Sequence, residues 1–142
     1  LVREAVVLDA PSRSRDEAIT AAGQLLVDVG AVEATYVDAM HEREQSVSTY
    51  MGNLLAIPHG TNEAKAAVRR TAISFVRYPE GIEWKGKQVK FVVGIAALGD
   101  DHLTLLGQIA EVFLDRERVA ALEAAESTDQ VLQILGAVRQ DA

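Results

Sequence analysis

The feature that most constrains the fold is a run from Val89 to Leu98, apolar throughout except for Lys90. It is bounded by Lys85-Gly86-Lys87 on one side and Gly99-Asp100-Asp101 on the other. The run is far shorter than the roughly 20 residues of a membrane span. Its length and lack of alternation predict a strand that is buried on both faces. Such strands are typical of α/β folds, in which helices cover both sides of a sheet.

Helical patterns lie before and after this strand. Ser14-Arg15-Asp16-Glu17 predicts a capping box, followed by apolar residues at helical spacing up to Val29 and by Gly30 as a stop. A second helix is predicted from Glu33 to Glu44, with Tyr36, Val37 and Met40 on its buried side. Downstream of the strand, the predicted helices are His102 to Leu114, Val119 to Ala124 and Ser127 to Val138.

Shorter strand patterns complete the sheet. We expect strands at Leu54 to Ile57, at Thr71 to Tyr78 and at Ile82 to Trp84, the last two separated by a turn at Pro79-Glu80-Gly81. Thr61 is expected to cap a short helix that reaches Val68. Turns this short join antiparallel neighbours, so the sheet should be mixed. The sequence predicts one α/β domain over residues 1–142, with a mixed central β-sheet flanked by helices on both faces.

Composition excludes several classes of function. The 142 residues carry a net charge of −7, which disfavours nonspecific binding to nucleic acid or to anionic membranes. The chain has no cysteine, so disulfides, thiolate metal sites and cysteine nucleophiles are excluded. We expect no membrane insertion, no signal peptide and a cytoplasmic location. Residues 65–90 are locally basic, with 7 basic and 2 acidic side chains, which is typical of a solvated face but also of a phosphate-steering surface.

Common catalytic motifs are missing as well. The sequence has no Gly-x-Gly-x-x-Gly, no phosphate-binding Gly-x-x-x-x-Gly-Lys-Ser/Thr, no Gly-x-Ser-x-Gly and no His-Glu-x-x-His. Three histidines remain. His41 lies within a predicted helix among acidic residues and is interpreted as a surface residue, and His102 opens a helix. His59 differs from both, because it follows a short apolar strand.

The segment Ile57-Pro58-His59-Gly60 has the residues of a candidate reactive site. Pro58 holds the preceding residue extended, and Gly60 permits a tight turn or a close approach to a ligand. Backbone N–H groups from Gly60 onward can face an anion held on the imidazole. An imidazole with an ordinary pKa near 6.5 is largely neutral at pH 7 and nucleophilic. From these residues alone, His59 is either a phosphoryl acceptor or a structural turn residue.

The residues of this segment also match a known family. Glu44 and the run Ser48-Thr49-Tyr50-Met51-Gly52-Asn53-Leu54-Leu55-Ala56-Ile57-Pro58-His59-Gly60 resemble the phosphorylation site of enzyme IIA of the bacterial sugar phosphotransferase system, in its mannitol/fructose (type 2) branch. The likeness continues through Glu63-Ala64-Lys65, Tyr78-Pro79-Glu80-Gly81, Val93 to Ala97, His102 and the C-terminal helices. It therefore spans nearly the whole chain.

The resemblance implies a phosphocarrier, a component of a phosphotransferase. HPr would donate a phosphoryl group to Nε2 of His59 while Nδ1–H donates to a backbone carbonyl, and enzyme IIB would accept the group next. The membrane component, enzyme IIC, would take part only indirectly. By position, His102 would hydrogen-bond the phosphoryl group and Arg43 would stabilise its charge. No cofactor, metal or nucleic acid is implied.

Several alternatives stay open at this point. The similarity favours mannitol as the transported sugar, and fructose is the alternative. A related domain can instead regulate transcription or nitrogen metabolism by its phosphorylation state. A further alternative is a metal-binding or interaction module that uses His59 and His102. Asn53 departs from the acidic residue that mannitol proteins can carry there, and Leu54, Leu55 or Leu103 could form an apolar contact surface or be buried.

Overall fold

A mixed β-sheet forms the centre of the computed structural model, which describes residues 2–99 and 101–135. Its five strands are β1 (Val6–Val7), β2 (Tyr50–Gly52), β3 (Leu55–Ala56), β4 (Ala72–Trp84) and β5 (Lys87–Ala96). They lie in the order β1-β4-β5-β3-β2. β1 runs parallel to β4 and β3 parallel to β5, whereas β4–β5 and β2–β3 are antiparallel. The predicted mixed sheet is confirmed, and the long apolar run provides its central strand.

Five α-helices accompany the sheet in the described residues: α1 (Arg15–Asp28), α2 (Thr35–Ser46), α3 (Asp101–Leu114), α4 (Arg116–Ala124) and α5 (Thr128–Ile134). The predicted capping box is confirmed, because Ser14 Oγ accepts from the N–H of Glu17 while the Glu17 carboxylate accepts from the N–H of Ser14. α2 begins and ends two residues later than predicted. The part of the last predicted helix beyond residue 135, up to Val138, lies outside the described residues.

Side chains of β5 alternate between two apolar cores. Val92 and Ala96 join the core beneath α1 and α2, together with Leu26 and Met40. Phe91, Val93 and Ile95 join the core on the opposite face, with these residues of α3, α4 and α5: Leu105, Ile109, Val112, Leu122 and Val131. Both faces of the central strand are therefore covered, as its continuous apolar sequence predicts.

Two local expectations are wrong. Pro79-Glu80-Gly81 does not end a strand, because β4 runs without interruption from Ala72 to Trp84. The pairing with β5 instead shifts register between Arg77 and Ile82, which makes this segment a bulge. A bulge tolerates the missing N–H of Pro79, and Gly81 adopts the left-handed conformation there, with φ +79°. Thr61 precedes a short 3₁₀ helix, Asn62–Ala67, but its side chain makes no capping hydrogen bond.

The parallel strands β3 and β5 position the candidate site. His59 follows β3 and forms an isolated parallel bridge with Ile95, and the backbone N–H of Ile95 donates to the carbonyl of Pro58 over 3.0 Å. The segment after β5 leads directly into α3. Both segments therefore leave the carboxyl ends of neighbouring parallel strands, which is where α/β sheets commonly form their sites. Within the described chain, no helix is both long and apolar enough to cross a membrane.

Candidate functional site

One cleft collects the three residues that the sequence singles out. His59, His102 and Arg43 all line this cleft, whose volume is about 400 Å³. His59 arrives from β3, His102 from the first turn of α3 and Arg43 from the last turn of α2. The structure therefore brings together residues separated by up to 59 positions in the sequence.

His59 is held in one orientation by its own backbone. Its Nδ1 atom lies 2.8 Å from the carbonyl oxygen of Ile57, and the residue is 7% exposed. Since a carbonyl oxygen can only accept, Nδ1 carries the proton and donates it. Nε2 of the neutral ring then keeps its lone pair. The family likeness implies a backbone carbonyl as the acceptor of this proton, and the structure identifies it as the carbonyl of Ile57.

His102 lies directly against His59. The centroids of the two rings are 4.8 Å apart, and the ring planes meet at 61°, in an edge-on arrangement. His102 is half-buried. An edge-on neighbour at this distance can share a small anionic group with His59.

The surroundings of both histidines favour the neutral form of the ring. Burial lowers the pKa of His59 below its ordinary value of 6.5, and His102 and Arg43 lower this pKa further. The hydrogen bond to Ile57 and the charge of Glu44 oppose the shift. Burial also lowers the pKa of His102, with Lys65 and Arg43 acting in the same direction. The neutral form is the one that has a nucleophilic lone pair.

Arg43 is supported by the residue that follows it. The Arg43 Nη1 donates to the carbonyl of Val47 over 2.8 Å. Glu44, which is 1% exposed, accepts from Thr49 N at 2.8 Å, from Thr49 Oγ1 at 2.5 Å and from Trp84 Nε1 at 2.9 Å. These three donors satisfy a buried carboxylate and tie the end of α2 to the sheet. The backbone that carries Arg43 is fixed in this way.

Sequence reasoning missed the role of Tyr36. We expected a core residue, and Tyr36 is buried, but its hydroxyl also donates to the carbonyl of Ile95 over 2.8 Å and accepts from the N–H of Gly60 over 2.9 Å. A Cβ atom on Gly60 would lie only 2.5 Å from Tyr36 Cε1. Gly60 is therefore required by the close approach of the tyrosine ring. The helical periodicity around Tyr36 predicts its burial but not these contacts with Gly60 and Ile95.

A further cation, Lys65, also lines the cleft. In the sequence, Lys65 is part of the family likeness, which assigns it no role. Among the described ion pairs none involves Lys65, and its charge is close enough to lower the pKa of His102. Lys65 is the basic residue of segment 65–90 that lines the cleft.

The remaining candidates separate into different places. Leu103 lines the cleft and is 76% exposed, whereas Leu55 is buried in the core. Leu54 and Asn53 line a different pocket, beside α3 and α4. The Asn53 side chain donates to the carbonyl of Phe113 over 2.9 Å, a bond that a carboxylate could not make. Its departure from the family pattern therefore falls outside the cleft.

Chemically, the cleft is suited to an anion. It joins a buried neutral imidazole, a second imidazole, a guanidinium and an ammonium group. Across residues 2–99 and 101–135, no group of three or more His, Cys, Asp or Glu side chains is placed to hold a metal ion. The arrangement belongs to the class of sites suited to holding an anionic group against an imidazole, here that of His59.

Comparisons with known proteins agree with this class. The sequence model of the family described as "Phosphoenolpyruvate-dependent sugar phosphotransferase system, EIIA 2" matches residues 1–137. The chain belongs to this family and is a phosphotransferase component of that system.

Individual relatives match over almost their full length. A protein of Halalkalibacterium halodurans named "mannitol-specific phosphotransferase enzyme IIA component" is 46% identical over 140 residues, covering 99% of this chain and 97% of the relative. The crystal structure of mannitol IIA from Escherichia coli is 37% identical, with a TM-score of 0.87 and coverage of 95% and 98%. The Escherichia coli IIA of a solved complex with phosphorylated mannitol IIB is 36% identical, with a TM-score of 0.89 and 96% of both chains covered.

Proposed function

We propose that this domain is the phosphocarrier of a mannitol phosphotransferase system. It takes a phosphoryl group from HPr on Nε2 of His59 and passes it to enzyme IIB, and enzyme IIC acts downstream in sugar uptake. This exchange takes place in the cytoplasm. The observation that carries the proposal is the 2.8 Å hydrogen bond from His59 Nδ1 to Ile57, which leaves Nε2 deprotonated.

The transfer step is a simple exchange of one N–P bond for another. The lone pair on Nε2 of His59 forms the new bond as the bond from phosphorus to the donor histidine breaks, and that bond's electrons return to the donor nitrogen. Nε2 loses no proton, because the ring's proton is already on Nδ1. After transfer, the positive charge that develops on the ring is stabilised by the carbonyl of Ile57. No cofactor or metal takes part.

Charge stabilisation is assigned to the residues around His59. Phosphoryl transfer depends on aligning donor and acceptor and on stabilising charge over the equatorial oxygens. Arg43 can offer two parallel N–H donors to these oxygens. His102, 4.8 Å away by ring centroids, hydrogen-bonds a further oxygen. Lys65 adds positive charge at the rim of the cleft.

Partner docking fits the same face. Leu103 combines exposure with a position on the cleft, so a partner that covers His59 also buries this side chain. The net charge of −7 suits a donor protein with basic residues around its own histidine, because complementary charge mainly raises the association rate.

The competing functions differ in the acceptor. A metal-binding role for His59 and His102 is disfavoured by the charges of Arg43 and Lys65, which repel a cation from the cleft. A regulatory phosphodomain would be phosphorylated at the same residue but would not deliver the group to an enzyme IIB. A fructose-specific domain would deliver it to a different enzyme IIB.

The test follows from this difference. The phosphorylated domain is mixed separately with enzyme IIB of a mannitol system and enzyme IIB of a fructose system, and the rate of phosphoryl loss is followed by mass spectrometry. We expect faster transfer to the mannitol partner. Faster transfer to the fructose partner would reassign the sugar, and transfer to neither would favour the regulatory role. His59→Ala serves as the control that cannot be loaded.

A further inference from the structure

The Thr71 hydroxyl joins the two ends of the turn that leads into α3. Its Oγ1 donates to Oδ2 of Asp101 over 2.8 Å and accepts from the backbone N–H of Leu98 over 3.0 Å. Thr71 itself is 3% exposed. The same turn is closed by the backbone N–H of Asp101, which donates to the carbonyl of Leu98 over 3.0 Å. The next residue in the chain is His102.

The position of His102 depends on this turn. The first N–H groups of a helix have no partner within the helix, so its first turn is held mainly by contacts that precede it. His102 lies in that first turn, so a shift of its backbone would change the 4.8 Å separation between its ring and that of His59. A buried hydroxyl that bonds to both ends of the turn restricts the movement available to the ring.

We propose that Thr71 is a positioning residue for phosphoryl transfer, an inference that rests on the proposed function. Thr71 acts by holding His102 against His59. Thr71 is not among the residues that line the cleft. It acts through the Leu98–Asp101 turn and touches neither phosphoryl group nor partner.

Ser74 provides a matched control. It lies on β4, three positions after Thr71, is fully buried, and its Oγ donates to the carbonyl of Ala22 over 2.9 Å. Its partner belongs to α1, away from the turn before His102. Ser74→Ala therefore removes a comparable buried hydrogen bond without loosening His102.

The experiment compares rates of phosphoryl transfer from phosphorylated HPr to the domain. We expect Thr71→Val, which keeps the shape and loses the hydroxyl, to slow transfer about five- to ten-fold. Thr71→Ser and Ser74→Ala should stay within about two-fold of wild type. Combining Thr71→Val with His102→Ala should give the rate of His102→Ala alone, because the two changes remove one function. A Thr71→Val rate equal to wild type, or a full additional loss in the double variant, would overturn the inference.

A second pair of variants covers the case in which Thr71→Val folds poorly. Asp101 is exposed, so Asp101→Ala and Asp101→Asn are accessible changes. Asp101→Ala removes the acceptor of the Thr71 hydroxyl and should slow transfer, whereas Asp101→Asn keeps a carbonyl acceptor and should not. Equal rates for both variants would contradict the assigned hydrogen bond.

A readout without phosphoryl transfer separates this inference from the proposed function. In NMR spectra, nuclear Overhauser contacts between the rings of His59 and His102 should weaken in Thr71→Val and persist in Ser74→Ala. Unchanged contacts in Thr71→Val would overturn the inference, whatever the activity. If the wild-type domain took up no phosphoryl group, the proposed function would fail while this ring contact would still decide the role of Thr71.

Discussion

The Nδ1 atom of His59 lies 2.8 Å from the carbonyl oxygen of Ile57, two residues earlier in the chain. Pro58 lies between the two residues and favours an extended backbone at Ile57, while His59 itself forms the bridge with Ile95. It fixes the tautomer of a neutral ring and leaves Nε2 free. Under the proposed function, this local backbone geometry prepares the nucleophile, and the residues around it align and stabilise the phosphoryl group.

His102→Ala should leave the acceptor intact and slow its loading. We expect a loss of about ten- to a hundred-fold, because a hydrogen bond to the transferring group is removed while Nε2 of His59 remains. Rapid-quench measurement of transfer from phosphorylated HPr tests this. A variant that loads at the wild-type rate would remove His102 from the mechanism.

Arg43 offers a test of donor geometry. Arg43→Ala should slow transfer by a factor similar to His102→Ala, because positive charge at the equatorial oxygens is lost. Arg43→Lys retains that charge but not the planar pair of donors, so it should recover only part of the rate. Full activity in Arg43→Lys would mean that a point charge is sufficient.

Phosphoryl acceptance should persist into mildly acidic solution. Burial lowers the pKa of His59 and of His102, so both rings stay neutral below pH 6.5 and protonate only at lower pH. The acceptance rate should therefore be level from pH 8 to below about 6.5 and then fall. A rate that halves at or above pH 6.5, with HPr loading controlled, would contradict the depressed pKa of His59.

The same shift predicts how stability changes with pH. The unfolded chain, with ordinary histidine pKa values, binds protons first as the pH falls below about 6.5. The free energy of unfolding should decrease from there until the folded pKa values are reached. Urea unfolding at several pH values measures this decrease, which should be smaller in His59→Gln, where one of the two buried imidazoles is absent.

Tyr36→Phe tests the hydroxyl that bridges the site. It leaves the N–H of Gly60 and the carbonyl of Ile95 without their partner, at a cost of about 1–3 kcal/mol in stability. Because Gly60 adjoins His59, loading should slow as well. Thermal unfolding and transfer rates check the two effects, and a stable variant with unchanged loading would show that the bridge is dispensable.

Arg77→Met tests a structural arginine outside the cleft. The buried guanidinium donates to the carbonyls of Leu8, Leu122, Glu123 and Ala125, joining the N-terminal segment to the end of α4. Leaving these acceptors unpaired should cost about 3 kcal/mol in the free energy of unfolding, as measured with urea. Loading of His59 in the folded fraction should be unchanged, and reduced loading there would connect Arg77 to the site.

Local sequence patterns predicted the structural elements that depend only on neighbouring residues. The capping pair Ser14 and Glu17, the central strand and the turn at Lys85-Gly86-Lys87 all follow from short-range preferences, and the structure has them. The prediction of a turn at Pro79-Glu80-Gly81 was wrong because pairing with β5 resumes after the bulge. Turn residues alone cannot distinguish a strand end from a bulge.

The residues of the site also fall into those that the sequence predicted and those that only the structure shows. His59, His102 and Arg43 were named from a motif and its family likeness, and the fold brings them into one cleft. Tyr36 and Thr71 act through hydroxyl groups whose partners lie 24 to 59 and 27 to 30 positions away. No spacing rule connects such residues, so only the folded structure reveals them.

Intact-mass spectrometry after incubation with phosphoenolpyruvate, enzyme I and HPr tests the central claim most directly. His41→Ala is the matched control, because His41 lies on α2 outside the cleft with its Nε2 2.8 Å from the Thr20 hydroxyl. Wild type and His41→Ala should each gain a single acid-labile phosphoryl group, and His59→Ala should gain none. Phosphorylation of His59→Ala at the wild-type rate would contradict the account.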